Sequence, residues 1–370
     1  MKNKILTIMF LSFIAFFCIA YIIVPDKFLS ENENKYLTQF PEFSFDSLFS
    51  GRYISSVEDY VTDQFPYRGQ YINLKTSCDK LIGKLDINGV YLAEDGYFIE
   101  KFEEVDFDTF NSNVSAIENF AVDVSKIIDK PVDVILIPTS SYILSAKLPS
   151  NIPEIDQNEL INFSDSEYIN VINICGKFLE NSEKYLYYKT DHHFTSLGGF
   201  YAYDVYCENK FNSNADKNDY EVELLSSEFL GTLYSKVSEV GTKPDEMYSY
   251  TTDNIEKVEY NYAQITSDSI LNKEHLEKKD KYQVYLNGNQ PQTKITTSND
   301  NDKRLLIIKD SYANTFAQFP VIDYEEVHMI DLRYFKKSTL TYIEENNITD
   351  VLVLYGVKNF CEDVNITSIK

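Results

Sequence analysis

The chain is short of positive charge. Its 370 residues include 34 lysines and arginines against 58 aspartates and glutamates, which gives a formal net charge of −24. Sequence-independent binding to nucleic acid needs clustered lysines and arginines around the phosphates, and the sequence contains no such cluster. The composition therefore argues against a nucleic-acid partner, and against attachment to an anionic membrane surface by charge. Solubility is explanation enough for the acidity itself.

Cysteine is also scarce, and tryptophan is absent. The five cysteines include no CxxC pair, so the spacing typical of a zinc site is missing. Cys18 lies in an apolar run, and the other four cysteines can either pair or remain buried thiols; they are Cys78, Cys175, Cys207 and Cys361. We expect neither a bound metal nor a cofactor.

An uncharged apolar run, Ile5–Val24, occupies the N-terminus. At about 1.5 Å per residue it is long enough to cross a hydrocarbon core of roughly 30 Å. Lys2 and Lys4 precede the run and the acidic stretch Ser30–Asn34 follows it, so the positive-inside rule places residues 25–370 outside the cytoplasm. The run is longer than a typical signal-peptide core and no A-x-A site follows, which favours an anchor over cleavage. We predict a single-pass plasma-membrane protein with an extracytoplasmic C-terminal domain.

The chain divides into three parts by composition. Residues 1–24 are the anchor, residues 25–52 are polar and turn-rich and are expected to form a stalk, and residues 53–370 form the extracytoplasmic domain. In that domain the apolar spacing predicts two helices between residues 53 and 84, broken at Pro66. Asp95-Gly96 predicts the tip of a β-hairpin over residues 90–100.

Helices and strands then alternate, which is typical of a doubly wound parallel sheet in the α/β class. A less regular and more polar stretch at about 212–300 is expected to be an insertion. The predicted helices cover residues 106–129, 167–180 and 195–211, and the predicted strands cover residues 132–137, 185–188, 304–308, 326–330 and 351–354.

Histidine is rare, and two of the four histidines stand together in Asp191-His192-His193 at a predicted strand end. In doubly wound sheets, ligands gather at the carboxyl ends of strands. A metal site made of these three residues is one reading. It is disfavoured because adjacent histidines on an extended chain point to different sides.

Ser311 follows another predicted strand and should open a helix. At such a position the helix N-terminus and the backbone N–H groups can stabilise an oxyanion. A nucleophilic serine also needs an imidazole and a carboxylate, which His193 and Asp191 could supply. The alternative for Ser311 is a simple N-cap.

Several segments resemble the DHHW family of bacterial extracytoplasmic proteins, which are similar to the alginate O-acetylation proteins with SGNH-hydrolase-like domains. The main segment is YYKTDHHFTSLGGFYAY at residues 187–203. The others, in chain order, are SENENKYLTQFPEFS, DQFPYR, FLGTLYSK, DKYQVYLNGNQP, IIKDSYANTF and IDLRYF.

The resemblance implies an SGNH-hydrolase-like fold and a catalytic triad. Asp191 and His193 match the D-x-H pair, and Ser311 in KDS matches the GDS-like nucleophile turn. Two residues depart from the pattern: Phe194 stands where the family name has Trp, and Lys309 replaces the Gly of GDS.

The resemblance also implies further donors at the oxyanion hole, for which Gly288, Asn289 and Asn359 are the counterparts. Each is also an ordinary turn residue. Arg333 either holds an anionic substrate or pairs with Asp331.

The leading hypothesis is serine-dependent acyl transfer, acetyl above all, to or from a cell-surface polysaccharide through an acyl-Ser311 intermediate. The resemblance implies a membrane-bound O-acyltransferase as the source of acyl groups. The alternative is a non-catalytic glycan-binding or scaffold component of a machine that modifies surface polymers.

Overall fold

Residues 2–153, 155–164 and 166–370 are described by a computed structural model, in which the chain separates into two units. The first consists of the chain up to Asn88 together with Tyr234–Thr242. The second consists of Gly89–Leu233 and Lys243–Lys370.

The first unit begins with a long apolar helix, α1 (Lys2–Ile23). Its segment Lys4–Ile23 is long and apolar enough to cross a membrane, and the residues of its most apolar window are not buried. This is consistent with the predicted single-pass anchoring. The unit continues with β1 (Leu29–Ser30), β2 (Lys35–Tyr36), α2 (Phe45–Phe49), α3 (Arg52–Asp63), α4 (Arg68–Leu81) and β3 (Asp86–Ile87).

Residues 25–52, expected as a stalk, are held by the helices that follow them. Asp63, the last residue of α3, is buried and accepts hydrogen bonds from the Lys35 ammonium (2.7 Å) and from the Thr38 backbone N–H and hydroxyl (both 3.0 Å). Arg68, the first residue of α4, donates two hydrogen bonds of 2.9 Å to the Glu33 carboxylate. The two helices predicted between residues 53 and 84 are confirmed.

The second unit alternates strands and helices, as the sequence pattern predicts. Its strands are β4 (Val90–Leu92), β5 (Phe98–Glu100), β6 (Val132–Ile137), β7 (Ile169–Val171), β8 (Glu221–Phe229), β9 (Asp245–Thr251), β10 (Ile255–Tyr260), β11 (Ile265–Ser267), β12 (Gln292–Thr297), β13 (Arg304–Lys309), β14 (Glu326–Ile330) and β15 (Asp350–Gly356). Its helices are α5 (Phe107–Ile128), α6 (Ser140–Ile143), α7 (Gln157–Ile161), α8 (Cys175–Glu180), α9 (Ser196–Phe211), α11 (Tyr312–Phe316), α12 (Thr339–Glu345) and α13 (Val357–Glu362), while α10 (Thr232–Val237) begins in this unit.

Eight of these strands form one sheet in the order β11-β10-β12-β14-β13-β15-β6-β7. The five strands from β14 to β7 run parallel, which confirms the predicted parallel sheet. β12 runs antiparallel to β14, and β10 and β11 continue the sheet in antiparallel fashion. The sheet is therefore mixed and mostly parallel.

The antiparallel part comes from residues 212–300, which were expected to be an irregular insertion. In β12, buried residues alternate with half-buried ones over its last four positions. A strand of this kind mixes polar and apolar residues, as QTKITT does, and carries no continuous apolar run that would reveal it. The same stretch supplies the separate hairpin β8–β9.

Two local predictions are wrong. The helix expected over residues 167–180 begins only at Cys175, because Ile169–Val171 pairs with β6 as the short edge strand β7. Residues 185–188, expected as a strand, fold back on the segment that follows them, and the backbone N–H of Thr195 donates to the Leu186 carbonyl (2.8 Å).

The parallel strands separate two apolar cores. Along β13, Leu305 and Ile307 enter the core that contains α9, whereas Leu306 and Ile308 enter the core that contains α5. The parallel strands end at one edge of the sheet, and Ser311 follows β13 at that edge.

Candidate active site

The turn after β13 presents Ser311 at the start of α11. Asp310, which is buried, holds this turn. One carboxylate oxygen accepts the backbone N–H of Tyr312 (2.9 Å) and the other accepts the backbone N–H of Gly356 (2.8 Å). Because Gly356 ends β15, Asp310 joins the turn to the neighbouring strand. Burial raises the pKa of Asp310, although these donors oppose the rise.

Ser311, His193 and Asp191 form one hydrogen-bonded chain. Ser311 Oγ lies 2.8 Å from His193 Nε2, and His193 Nδ1 lies 2.5 Å from Asp191 Oδ1. The same carboxylate oxygen accepts the backbone N–H of His193 (3.0 Å). The Ser311 hydroxyl is thus directed at an imidazole, whereas an N-cap serine would turn its oxygen toward its own helix. This is the arrangement of a nucleophile, a general base and an orienting carboxylate.

The charge states of the pair suit these roles. Burial, reinforced by repulsion from His192, lowers the pKa of His193 to about 4, although Asp191 acts in the opposite sense. Burial by itself would raise the pKa of Asp191, but attraction to His192 and His193 and the hydrogen bonds it accepts hold the pKa of that carboxyl well below its usual range. At neutral pH the imidazole is therefore neutral beside a carboxylate anion, and it can accept the serine proton.

Asp191 is fixed by a segment that reasoning from the residues missed. Its second carboxylate oxygen accepts the backbone N–H and the hydroxyl of Thr232, at 2.8 and 2.9 Å. A Cβ at the preceding residue, Gly231, would lie only 2.3 Å from the Asp191 Cβ. Both residues belong to the FLGTLYSK segment, so resemblance was the one signal that pointed to them.

Tyr282 is a second residue that was not singled out. Its ring stacks on the His193 imidazole with centroids 3.9 Å apart and planes 10° from parallel. Its hydroxyl donates to the Ser311 carbonyl (3.0 Å) and accepts from the Thr315 hydroxyl (2.8 Å). One tyrosine thus contacts both the base and the nucleophile turn. Its only sequence signal was the DKYQVYLNGNQP segment.

His192 is bonded to Thr232 and Tyr312 and not to the nucleophile. Its Nδ1 lies 2.9 Å from the Thr232 hydroxyl, and since that hydroxyl donates to Asp191, Nδ1 is the donor of this pair. Its carbonyl accepts the Tyr312 hydroxyl (2.7 Å). These contacts give His192 a supporting role behind Asp191.

The residues predicted for the oxyanion hole and for substrate binding do not all lie together. Asn359 donates one amide hydrogen to Asp310 Oδ2 (2.8 Å) and lines a narrow cleft beside Tyr312 and His192. Gly288 lies in a turn with φ of 76°, and the Asn289 amide oxygen is bonded to side chains of the β13–α11 segment. Arg333 forms an ion pair with Asp331 at 2.6 Å. Their roles at an oxyanion hole stay predictions.

Lys309, the departure from the GDS pattern, is fully buried below the nucleophile turn. Its ammonium donates to the side-chain oxygens of Asn314 (2.7 Å) and Asn289 (3.2 Å), and Asp331 lies 3.9 Å away. Burial lowers the pKa of Lys309 to about 8 although Asp331 opposes the change. The lysine therefore replaces the small Gly without pointing into the triad. Phe194, the other departure, is buried with its ring 5.3 Å from that of Tyr312.

The one metal-like grouping found among the described residues is Asp191, His192 and His193, whose candidate ligand atoms lie within 4.8 Å of one another. Both ring nitrogens of His193 are already engaged, with Asp191 and with Ser311. A cation would have to displace one of these bonds. The donor set therefore fits a triad better than a metal centre.

Comparison with known proteins agrees with the fold and with the motifs. The family model described as DHHW protein matches residues 168–330. No curated protein matches the sequence significantly. A DHHW family protein from Eubacterium siraeum superimposes with a TM-score of 0.63 at 24% identity, covering 77% of this chain and 96% of that chain.

One further solved structure shares the architecture, and another shows a weaker similarity. Bacillus cereus PatB1, solved with a sulfonyl adduct, superimposes with a TM-score of 0.64 at 20% identity, over 75% of this chain and 97% of that chain. The O-acetyltransferase domain of Pseudomonas putida AlgJ gives a TM-score of 0.49 at 12% identity, over 76% and 95%. The predicted α/β fold with a mostly parallel central sheet is confirmed, and the family match over residues 168–330 confirms the predicted resemblance to the DHHW family.

Proposed function

We propose that the second unit transfers an acyl group, acetyl above all, to or from a cell-surface polysaccharide through an acyl-Ser311 intermediate. The observation that carries the proposal is the unbroken chain Asp191–His193–Ser311, with distances of 2.5 and 2.8 Å. The DHHW match and the resemblance to O-acetylation proteins support polysaccharide O-acetylation in general.

In the first half-reaction, Ser311 Oγ attacks the carbonyl carbon of the acyl donor while His193 Nε2 takes the hydroxyl proton. The tetrahedral intermediate collapses as the imidazolium returns that proton to the leaving group, which leaves acyl-Ser311. In the second half-reaction, His193 takes the proton of a sugar hydroxyl, whose oxygen attacks the acyl carbon. Collapse then gives the sugar ester and frees Ser311 Oγ, to which the imidazolium returns the proton. Water in place of the sugar gives hydrolysis, and the reverse sequence removes the acyl group.

Stabilisation of the oxyanion is assigned to the Ser311 backbone N–H and to Asn359. The amide of Asn359 carries two hydrogens, and Asp310 accepts one of them. The second can serve an oxyanion in the adjoining cleft. Gly288 and Asn289 remain the alternatives for this donor.

The proposed reaction takes place at the plasma membrane, to which α1 would anchor the enzyme. With α1 inserted and residues 53–370 outside the cytoplasm, the enzyme could receive acyl groups from a membrane-bound O-acyltransferase and pass them to a surface glycan. The charge pattern around α1 supports this orientation, and the resemblance to the alginate O-acetylation proteins supports the acyltransferase as the source of acyl groups.

The test is covalent labelling of the full chain with a sulfonyl fluoride, since PatB1 was solved with a sulfonyl adduct. Intact-mass analysis should show one adduct on the wild type and loss of it in Ser311→Ala, together with loss of aryl acetate hydrolysis. Ser338→Ala is the matched control, because Ser338 also opens a helix but caps it through the Thr341 N–H (3.2 Å). The control should label as the wild type does.

Equal labelling and hydrolysis by wild type and Ser311→Ala would refute the mechanism. The non-catalytic alternative predicts glycan binding that survives the loss of both Ser311 and His193, without any turnover.

A further inference from the structure

We propose that the apolar face of α4 lies in the lipid–water interface of the membrane that α1 crosses. The proposal rests on α1 acting as a membrane anchor, and it concerns the first unit alone.

α4 leaves a stripe of large apolar side chains uncovered. Leu74 is 60% exposed, Leu81 is 86% exposed and Ile82, just after the helix, is 79% exposed. Tyr71 and Cys78 lie on the same face, because residues three and four apart are neighbours on a helix. On another face Thr76 is buried, with its hydroxyl bonded to the Val237 carbonyl (2.7 Å). The helix is therefore held to the protein by one side and presents an apolar side outward.

The stripe is continuous with the surface of the anchor. The ring of Phe17 in α1 stacks on Phe65 with centroids 5.2 Å apart, and it lies 6.2 Å from the ring of Tyr71. Tyr21 lies 6.2 Å from Tyr60 of α3. The start of α4 therefore lies at the depth of Phe17.

That depth matches an interfacial helix. Phe17 stands six residues before Ile23, which ends α1. At about 1.5 Å per residue, it lies about 9 Å below the end of the helix. Amphipathic helices at interfaces bury their apolar faces about 5–10 Å into the boundary between headgroups and acyl chains.

Aromatic residues around the end of α1 agree with this placement. Tryptophan and tyrosine concentrate where a membrane meets water, and phenylalanine is common on the lipid-facing side of interfacial helices. The segment after α1 exposes an unusual number of large rings, namely Phe28, Tyr36, Phe40, Phe43, Phe45 and Phe49. Lipid at the interface would cover these rings and the apolar stripe of α4, so the proposal requires no partner protein to cover them.

The interaction is hydrophobic and does not depend on anionic lipid. The exposed stripe consists of uncharged residues, and Lys75 and Lys80 of α4 are paired with Asp79 and Glu239. Zwitterionic phosphatidylcholine should therefore suffice as the partner.

The absence of tryptophan from the chain makes a clean test available. Single tryptophans are introduced into the full chain as Leu81→Trp, as Lys80→Trp, and as Phe17→Trp in the anchor. Lys80 is exposed and is three or four residues from none of the stripe residues, so it lies on another side of α4. Each variant is reconstituted in phosphatidylcholine nanodiscs, which leave both faces of the bilayer open to solvent. Quenching by lipids brominated in the acyl chain is compared with quenching by iodide.

The proposal expects Leu81→Trp to be quenched by brominated lipid and shielded from iodide, as Phe17→Trp is, while Lys80→Trp shows the reverse. If Leu81→Trp is quenched by iodide as strongly as Lys80→Trp while Phe17→Trp responds to brominated lipid, the anchor is supported and the stripe proposal is wrong. If Phe17→Trp does not respond to brominated lipid, the anchor and the stripe proposal fall together. Neither result bears on catalysis, which labelling of Ser311 tests separately.

Discussion

His193 contacts Ser311, Asp191 and Tyr282, so its protonation decides whether the site can start a reaction. Its pKa is lowered to about 4 by burial and by His192. A lowered pKa means that the neutral, basic form persists above that value and is lost only as the pH falls toward it. An unperturbed histidine would lose its basic form near pH 6.5.

We therefore expect kcat/KM for an aryl acetate to stay flat from neutral pH down to about pH 5 and to fall below that. The measurement is a pH–rate profile, with stability followed by circular dichroism at each pH so that acid unfolding is not mistaken for titration. An acid limb centred at or above pH 6.5 would contradict this account of the base.

Tyr282 should act through His193 as a positioning residue. Tyr282→Phe keeps the ring that stacks on the imidazole and loses the hydroxyl bonds to Ser311 and Thr315, so we expect a change of only a few fold. Tyr282→Leu removes the π face that stabilises the imidazolium formed in the transition state. A cation–π contact of about 1–2 kcal/mol corresponds to roughly a tenfold fall in kcat.

Because the interaction is made in the transition state, KM should change little in Tyr282→Leu. Steady-state kinetics of the two variants test this difference. Equal kcat values for Phe and Leu, or a loss that appears only in KM, would show that the stacked ring does not assist the base.

At the scale of elements, the turn between β8 and α10 is shaped to hold Asp191. A Cβ on Gly231 would lie 2.3 Å from the Asp191 Cβ, so Gly231→Ala must move the carboxylate or the turn. Misplacement by about 1 Å can cost about 10²-fold in rate. We expect a loss of that order in kcat/KM with the fold retained.

Gly176→Ala in α8 is the matched control, because a Cβ there has no atom within 4 Å. It should keep wild-type activity and stability. Circular dichroism and kcat/KM of both variants make the comparison. Full activity in a folded Gly231→Ala protein would mean that Asp191 does not need this support.

Some strands can be recognised from the sequence and others cannot, because the two groups differ in burial. β13 and β15 are buried on both faces, so they form apolar runs that stand out. β10 and β12 mix exposed or half-buried positions with buried ones, and their pattern looks like a polar loop. The parallel half of the sheet was therefore predicted, while its antiparallel extension was not.

The residues of the candidate site also divide into those that the sequence predicts and those that it does not. Strand ends and motif resemblance together pointed to Asp191, His193 and Ser311. Thr232 and Tyr282 lie in the stretch at 212–300, where no periodic signal places a residue near a strand end. Their contacts with the triad depend on how segments that are far apart in the chain pack together, which cannot be read from a single sequence.

At the scale of the whole molecule, the net charge of −24 should act on the choice of glycan. A polyanionic acceptor is repelled by the field of the protein, and salt weakens this repulsion because the screening length falls from about 30 Å at 0.01 M to about 10 Å at 0.1 M. A neutral acceptor feels no such field.

We therefore expect kcat/KM for acyl transfer to a polyanionic polysaccharide to rise several-fold between about 10 and 200 mM salt. Transfer to a neutral polysaccharide should change little over the same range. Initial rates with both acceptors, at one fixed concentration of a small neutral acetyl donor, separate the effect on the acceptor from any effect on the donor. If kcat/KM for the anionic acceptor falls with salt, a local cationic site outweighs the overall charge, and Arg333 would be the first residue to replace.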